Sequence, residues 1–556
     1  MTAPSRVRPA EVGHSAFTRR TLVKGAAWAT PVAAFTLSAP AMAASSPLNC
    51  EPAGTLFDAQ SRARILSGMI GGANLDALAE VGGAHAVASD PPVEGGSATQ
   101  TTDAGQLDVG LLSAIQLNLG GLTGVVSDLL DLTTGQNAGV LNEYSYAHAA
   151  FGGDGTAEIG GAGAVDRASG MVTFDEQAAS PPSLGSINLK SLLLELTESP
   201  GVTDFVSTLA GLDLDVGAVA GRASMDSACE DPGEEDVTRE YNLAYLKLLV
   251  DSTATNGLLG FVTDSLGTIT LSTDQIYEGL EAIPALGPLL SLLGRNTLSL
   301  TASLNVEEVT GTPLPEGWSE ENPQALNPAV QLNLSGDPAQ GSPVVVDLGA
   351  LLGEPYGGGV SPWLNDLAPN SRLLIEGRAP AEAAVQLVDD IRVALLERVK
   401  DVLQVSVRGG VRGPLSGRYP LEIDASLRSI LEGTANVRLV GLPLGPILNP
   451  LLGGIGSLVE GVLDGLLGPE GTVQSVLTPV SDLLASLLDL LSGVLAITVN
   501  AQNSAGGNAP SAYSSTNFEP GRYDVAALHL EVLGLAGLLN LSLGRGSVGE
   551  NRARRG

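Results

Sequence analysis

Four stretches of the chain alternate between apolar and polar residues. Residues 297–306 are the clearest case, and 330–334, 404–408 and 528–532 repeat the pattern. A period of two predicts strands with one face buried and the other wet. A second pattern has the helical period. Across 381–403, Val388, Ile391, Leu395, Val399 and Val402 fall on one stripe, while Asp389, Asp390, Arg392 and Lys400 point elsewhere. This spacing predicts an amphipathic helix. Residues 455–467 and 473–491 carry Leu-rich stripes separated by Gly468-Pro469-Glu470-Gly471. They predict a helical hairpin packed on a sheet, with Pro479 expected to delay or kink its second helix. Residues 439–459 are uncharged and long enough to span a membrane. They also hold Pro443, Pro446 and Pro450, so a buried loop-and-helix segment is expected there rather than an uninterrupted helix.

The fold class expected from these patterns is α+β and β-rich: antiparallel strands, sandwich-like or elongated, with several amphipathic helices packed on them. Connections rich in Gly, Ser and Pro fall at 91–105, 229–236, 307–328 and 503–520. The expected organisation is a leader at 1–43, a β-rich region at 44–306 and a Pro/acid-rich loop or linker at 307–329. An α+β region at 330–545 follows, with helices near 381–403 and 455–491, and then a basic tail at 546–556. Leu107-Asp108-Val109-Gly110-Leu111-Leu112 is echoed from Leu214, Val346 and Tyr523 at unequal separations. Unequal spacing argues against a solenoid. The phrase reads as a repeated strand-to-turn element or as chance in a chain of this composition.

The first residues read as an address. Thr18-Arg19-Arg20-Thr21-Leu22-Val23-Lys24 precedes a short apolar stretch and ends at Ala41-Met42-Ala43. A basic start, a short apolar middle and small residues before a cut between Ala43 and Ala44 make a secretory signal, and the paired arginines mark the twin-arginine route. The chain carries 28 Lys+Arg against 61 Asp+Glu, a formal charge of −33. Nucleic-acid binding is excluded, because nothing here displaces phosphate counterions. Cys50 and Cys229 are the only cysteines. In an oxidising compartment they are expected to form one disulfide, with two buried thiols as the alternative.

Catalytic signatures are hard to find. After the leader only His85, His148 and His529 remain, without ligand spacing, so no metal site and no cofactor are expected. Gly152-Gly153-Asp154-Gly155 and Gly160-Gly161-Ala162-Gly163 fall short of a dinucleotide fingerprint and read as flexible turns. The acidic run 230–236 lacks the spacing of a calcium loop, so Ca²⁺ has no motif behind it. An apolar run at 533–543 is too short for a membrane anchor. A carboxylate pair of the glycosidase kind lacks aromatic platforms, aromatics being 4 % of the chain.

Residues 66–79 (Leu66-Ser67-Gly68-Met69-Ile70-Gly71-Gly72-Ala73-Asn74-Leu75-Asp76-Ala77-Leu78-Ala79), the phrase at 107–112, 139–147 and Gly161-Ala162-Gly163-Ala164-Val165-Asp166, with the leader, carry a resemblance. Together they resemble the choice-of-anchor G family of exported proteins from high-GC Gram-positive bacteria. The resemblance implies a secreted or cell-surface protein without known enzyme activity, and it supplies no functional residues. This chain departs from anchored members in ending without a sorting motif or membrane helix. The expectation is an exported, non-enzymatic protein of envelope or adhesion type, with cell-wall polymer or another surface protein as partner. The alternatives are an exported hydrolase with an unrecognised carboxylate pair, or a lipid carrier built around the Leu-rich hairpin.

Overall fold

Among the described residues, strands form four antiparallel sheets. The computed structural model describes residues 56–75, 83–89, 97, 99–106, 124, 126–132, 141–149, 156–173, 182–194, 200–227, 237–252, 268–271, 274, 278, 281, 299–303, 330–332, 344–352, 362–374, 392–393, 395–412, 418–439, 445–503, 522–533, 537–549 and 552–554. All of them belong to the second of two units, 45–556. The architecture is the β-rich α+β class that the patterning predicts.

Sheet I is built around β1 (Leu56–Ile70). One edge of β1 pairs with β23 (Leu539–Val548) and β24 (Arg552–Arg554), the other with β2 (Ala73–Asn74) and β3 (Ala84–Ser89). Beyond β23 follow β22 (Tyr523–Val532), β21 (Leu495–Gln502) and the short β17 (Ser371–Arg372). Sheet II runs β11 (Val237–Leu243), β10 (Val219–Ser227), β7 (Thr156–Gly163), β6 (Asn142–Ala149), β4 (Thr99–Gln106). Sheet III runs β15 (Val330–Leu332), β16 (Val344–Asp347), β12 (Leu246–Ser252), β9 (Leu209–Gly217), β8 (Ser183–Asn188), β5 (Leu130–Leu132). Sheet IV runs β13 (Thr268–Leu271), β14 (Ser299–Ser303), β18 (Gln404–Arg412), β19 (Arg418–Ser426), β20 (Val437–Leu439).

Sheets I and II pack face to face through small residues. A Cβ on Gly546 of β23 would stand 2.2 Å from the carbonyl oxygen of Gly160 on β7, and one on Gly221 of β10 would stand 2.0 Å from that of Gly544. Facing sheets usually lie about 10 Å apart, with side chains between them; here backbone meets backbone. Ala59, Ala86, Ala88, Ala147 and Ala149 continue the layer. Ser61 and Ser145 bond across it, hydroxyl to hydroxyl, at 2.7 Å. The glycines at 160–163 are therefore strand residues, not flexible turns: Gly160 faces sheet I, and Gly161 lies under the carbonyl of Gly170. Residues 152–155 lie outside the described set.

Sheets II and III share one ribbon. β10 with β11 and β9 with β12 keep a single register, carried past the junction by Gly217 N–H to Tyr245 O and Ala244 N–H to Ala218 O, both 2.9 Å. The phrase at 214–219 marks this corner, and its copy at 346–351 takes β16 into α3 (Leu348–Leu352), which follows α1 (Leu189–Leu194) and α2 (Pro200–Ser207) in the chain. The copy at 523–528 lies inside β22 and makes no turn, while 107–112 lies outside the described residues.

The helices follow their stripes. Residues 395–402 are helical, with Leu395, Val399 and Val402 buried. Arg428 on α4 (Leu427–Leu431) bonds Glu397 at 2.9 Å and also Asp401, and Lys400 reaches Glu460 of α5 (Gly445–Leu467) at 3.3 Å. Helix α5 starts ten residues before the predicted point. Pro446 sits in its first turn, where the N–H has no intrahelical partner; Pro450, in the second turn, gives up one i→i−4 bond without ending the helix. Helix α6 (Gln474–Val494) likewise starts ahead of Pro479 rather than after it. By length and hydropathy α6 passes for a membrane span. Its stripe Leu477, Val480, Leu484, Leu487, Leu488 and Leu491 is buried in the protein, and Asp482 and Asp489 occupy the opposite face, as in a core helix.

Candidate functional site

The face of sheet I turned away from sheet II holds charge where a covered sheet face normally holds aliphatic side chains. Arg62 and Arg64 project from β1 two residues apart and so share a face. Arg64 stands directly opposite Arg545 of β23, and Arg62 opposite Ser547. Asp524 of β22 is fully buried at their centre. It accepts from Arg545 through Nε and Nη2, each at 3.3 Å, and from the Ser547 hydroxyl; Arg522 Nε lies 3.7 Å away. Asn503 Nδ2 donates to its other oxygen at 3.2 Å. Arg545 also donates to Ser67 Oγ, and Arg522 to Ser547 Oγ.

The electrostatics follow from this crowding. Burial lowers Arg522 to about 10; Asp524 opposes the shift, while Arg545, Arg62 and Arg64 add to it. His85, opposite Arg62 at the solvent edge, is held at about 4 by partial desolvation and by Arg62, Arg522 and Arg64. His529 is buried beside Ser542 Oγ at 2.8 Å, and burial with Arg545 lowers it to about 3. Both imidazoles are therefore neutral near pH 7. The surroundings can attract and orient an anion; they offer no imidazole base with a pKa near neutrality.

Across the sandwich, Glu143 of β6 is 4 % exposed and accepts the Ile65 N–H at 2.8 Å. Burial raises it to about 7, against the opposing effects of that hydrogen bond and of Arg64. Ile65 needs this acceptor because sheet I skips a row there. The β21–β22, β22–β23 and β1–β23 registers pass over Asn500, Ala527, Gly544 and Ile65. Asn500 (φ 53°) and Gly544 (φ 60°) are left-handed and bend the strands away from ladder geometry.

A second cluster sits at the corner between sheets II and III. Lys247 is the cross-strand partner of both Asp215 and Asp347, the aspartates of two copies of the repeated phrase. Its ammonium lies 4.8 Å from the centre of the Tyr245 ring. Ser183 Oγ donates to Asp215 at 2.9 Å. Burial and Asp215 push the Tyr245 hydroxyl up, away from any role as a base. Burial also raises Asp215, offset by Ser183 and Lys247. This cluster holds the corner together.

Arg19, Arg20, Ala43, Ala44, Cys50 and Cys229 lie outside the described residues, as do the acidic run 230–236 and Trp318. His148 bonds the Thr99 hydroxyl at 2.7 Å. Among the described residues, no three His, Cys, Asp or Glu side chains gather as a metal site. The arginine cluster was missed because Arg62 and Arg64 alternate with small residues, Ser61 and Ala63, instead of large apolar ones. An Arg-x-Arg step inside an Ala/Ser strand was the available signal.

No curated protein and no solved structure matches the chain. A family model matches residues 61–549, which takes in both clusters, sheets II to IV and sheet I apart from the start of β1 and β24. The chain belongs to that family, described as a domain of unknown function (DUF8394).

Proposed function

We propose that this chain is an exported, non-enzymatic secreted or cell-surface protein, of envelope or adhesion type, that acts through its surface. The observation carrying this reading is the leader. Arg19 and Arg20, the short apolar stretch and Ala41-Met42-Ala43 precede both the unit that begins at Ser45 and the family region that begins at residue 61. The resemblance to choice-of-anchor G proteins points the same way. So does the burial of one strongly perturbed carboxylate among the described residues: Glu143, raised to about 7, lies inside the sandwich at 4 % exposure.

The test is fractionation of a native-host culture with an antibody against the chain, comparing wild type with R19K/R20K. Export predicts a wild-type protein that begins at Ala44 and is recovered in wall or medium, with the twin-lysine variant retained in the cell. A wild-type protein that keeps Met1 and stays in the cytoplasm overturns the reading. Release from the wall fraction by salt supports envelope association. Recovery only as a free monomer in the medium favours the hydrolase or lipid-carrier alternatives.

A further inference from the structure

Lysine is rare in this chain. Four occur, and three of them follow the leader: Lys190, Lys247 and Lys400. Lys190 donates to the Ala210 carbonyl, and Lys400 pairs with Glu397 and Glu460. Lys247 is placed differently. On β12 it stands directly opposite Asp215 of β9 on one side and Asp347 of β16 on the other. Side chains opposite each other on antiparallel strands start about 5 Å apart and share a face, so the amine is within reach of both carboxyls. Asp347 is 8 % exposed, and Asp215 and Lys247 are half-buried, so the three meet where little water enters. Asp215 accepts from Ser183 Oγ at 2.9 Å and is hydrogen-bonded to the Tyr245 hydroxyl as well. Burial raises Asp215, which favours its protonated form, and burial with Asp215 pushes Tyr245 up, so the phenol keeps its proton to donate. An amine, a protonated carboxyl with two donors on it and a second carboxylate are the parts that amide formation needs.

We infer that Lys247 and Asp215 condense into an isopeptide bond that staples β12 to β9 at the corner between sheets II and III, with Asp347 as the proton acceptor. Asp347 takes a proton from the Lys247 ammonium, and the neutral amine attacks Cγ of the protonated Asp215 carboxyl. A C–N bond forms, and Ser183 and Tyr245 hold the oxygen on which charge develops. A second proton passes from the nitrogen to the departing hydroxyl, the C–O bond breaks and water leaves. Asp347 then returns its proton to solvent. Water opposes such a condensation between free molecules. Groups held opposite each other by two hydrogen-bonded strands reach effective molarities on the order of 10⁵–10⁸ M, far above that of water. The reaction joins residues of one chain and needs no partner, so it does not depend on the route of export.

The test is the intact mass of the purified full-length or processed chain after reduction, with its first residue determined, followed by peptide mapping. Wild type is expected to weigh about 18 Da (one water) less than its sequence requires, with one branched peptide joining Lys247 to Asp215. K247R and D215A are expected at full mass, and K190R is expected to show the same loss as wild type. D347N keeps the shape of the side chain without its basicity and is expected to leave most of the chains unjoined. Full mass in the wild type overturns the bond, and that outcome does not depend on whether any variant folds. A loss confined to an unbranched peptide, the mark of a cyclised aspartate, overturns it too, as does a branch ending at another carboxyl. Complete joining in D347N overturns the role given to Asp347.

Discussion

Sheet IV and the sandwich of sheets I and II solve the same packing problem in opposite ways. In sheet IV, Val405, Val407 and Ile423 are buried while Gln404, Arg408, Glu422 and Asp424 are exposed, so its buried side carries large aliphatic side chains. Its stability comes from apolar area removed from water, and each side chain contributes on its own. The sandwich uses glycine, alanine and serine to bring two backbones together. Little apolar area is buried per residue, and close approach and polar contacts such as Ser61–Ser145 take its place. The first arrangement tolerates small changes in volume. The second has no free volume to absorb an added methyl group.

That contrast can be broken at its sharpest point with Gly546→Val. The first added carbon already falls 2.2 Å from Gly160 O, with backbone on every side, so the sheets must separate. The expected loss exceeds about 4 kcal/mol, read as absence of a cooperative denaturant transition; a midpoint close to wild type would show that the sheets are not in contact.

The next effect is electrostatic. Folded Glu143 keeps its proton up to about pH 7, whereas an ordinary glutamate gives it up near 4.5. Between those values the folded state holds more protons, so raising the pH lowers stability; above pH 7 both states are ionised and the full cost, about 3 kcal/mol, persists. Glu143→Gln keeps an acceptor for Ile65 N–H and removes the charge. Stability curves of the two proteins should separate with rising pH, the variant gaining, and parallel curves would refute the assignment. The smallest effect belongs to sheet IV. Ile423→Val trims one methylene from a fully buried site and should cost about 1 kcal/mol, measured by the shift in denaturant midpoint. A loss as large as that of Gly546→Val would erase the distinction between the two regions.

The same contrast explains what could be read from the residues alone. Strands β14, β15, β18 and β22 and helices α5 and α6 announced themselves because large apolar side chains recur at period two or 3.6. Even there β22 misled in part: His529 and Asp524 are fully buried, because both faces of that strand are covered. In the sandwich the informative residues are those with little or no side chain. Gly160–Gly163 looked like turns, and Ala59, Ser61 and Ala63 gave no amphipathic signal to frame Arg62 and Arg64. Glu143 acquires its role from a bend at Gly544, far away in the chain, which no local pattern records.

The pairing of β1 with β23 has a consequence for the order of events in the cell. β1 ends at Ile70 and its partner β23 starts at Leu539, so the first leaves the ribosome long before the second. At roughly 5–20 residues per second, β1 waits on the order of half a minute to two minutes with one edge open. Sheet I therefore closes only once β23 has been made, and a chain cut short before residue 539 has no strand to complete it. Such fragments would carry an exposed edge that invites pairing with other chains and marks them for proteolysis. The fold thus checks that translation has passed β23, since only such a chain can close the sheet.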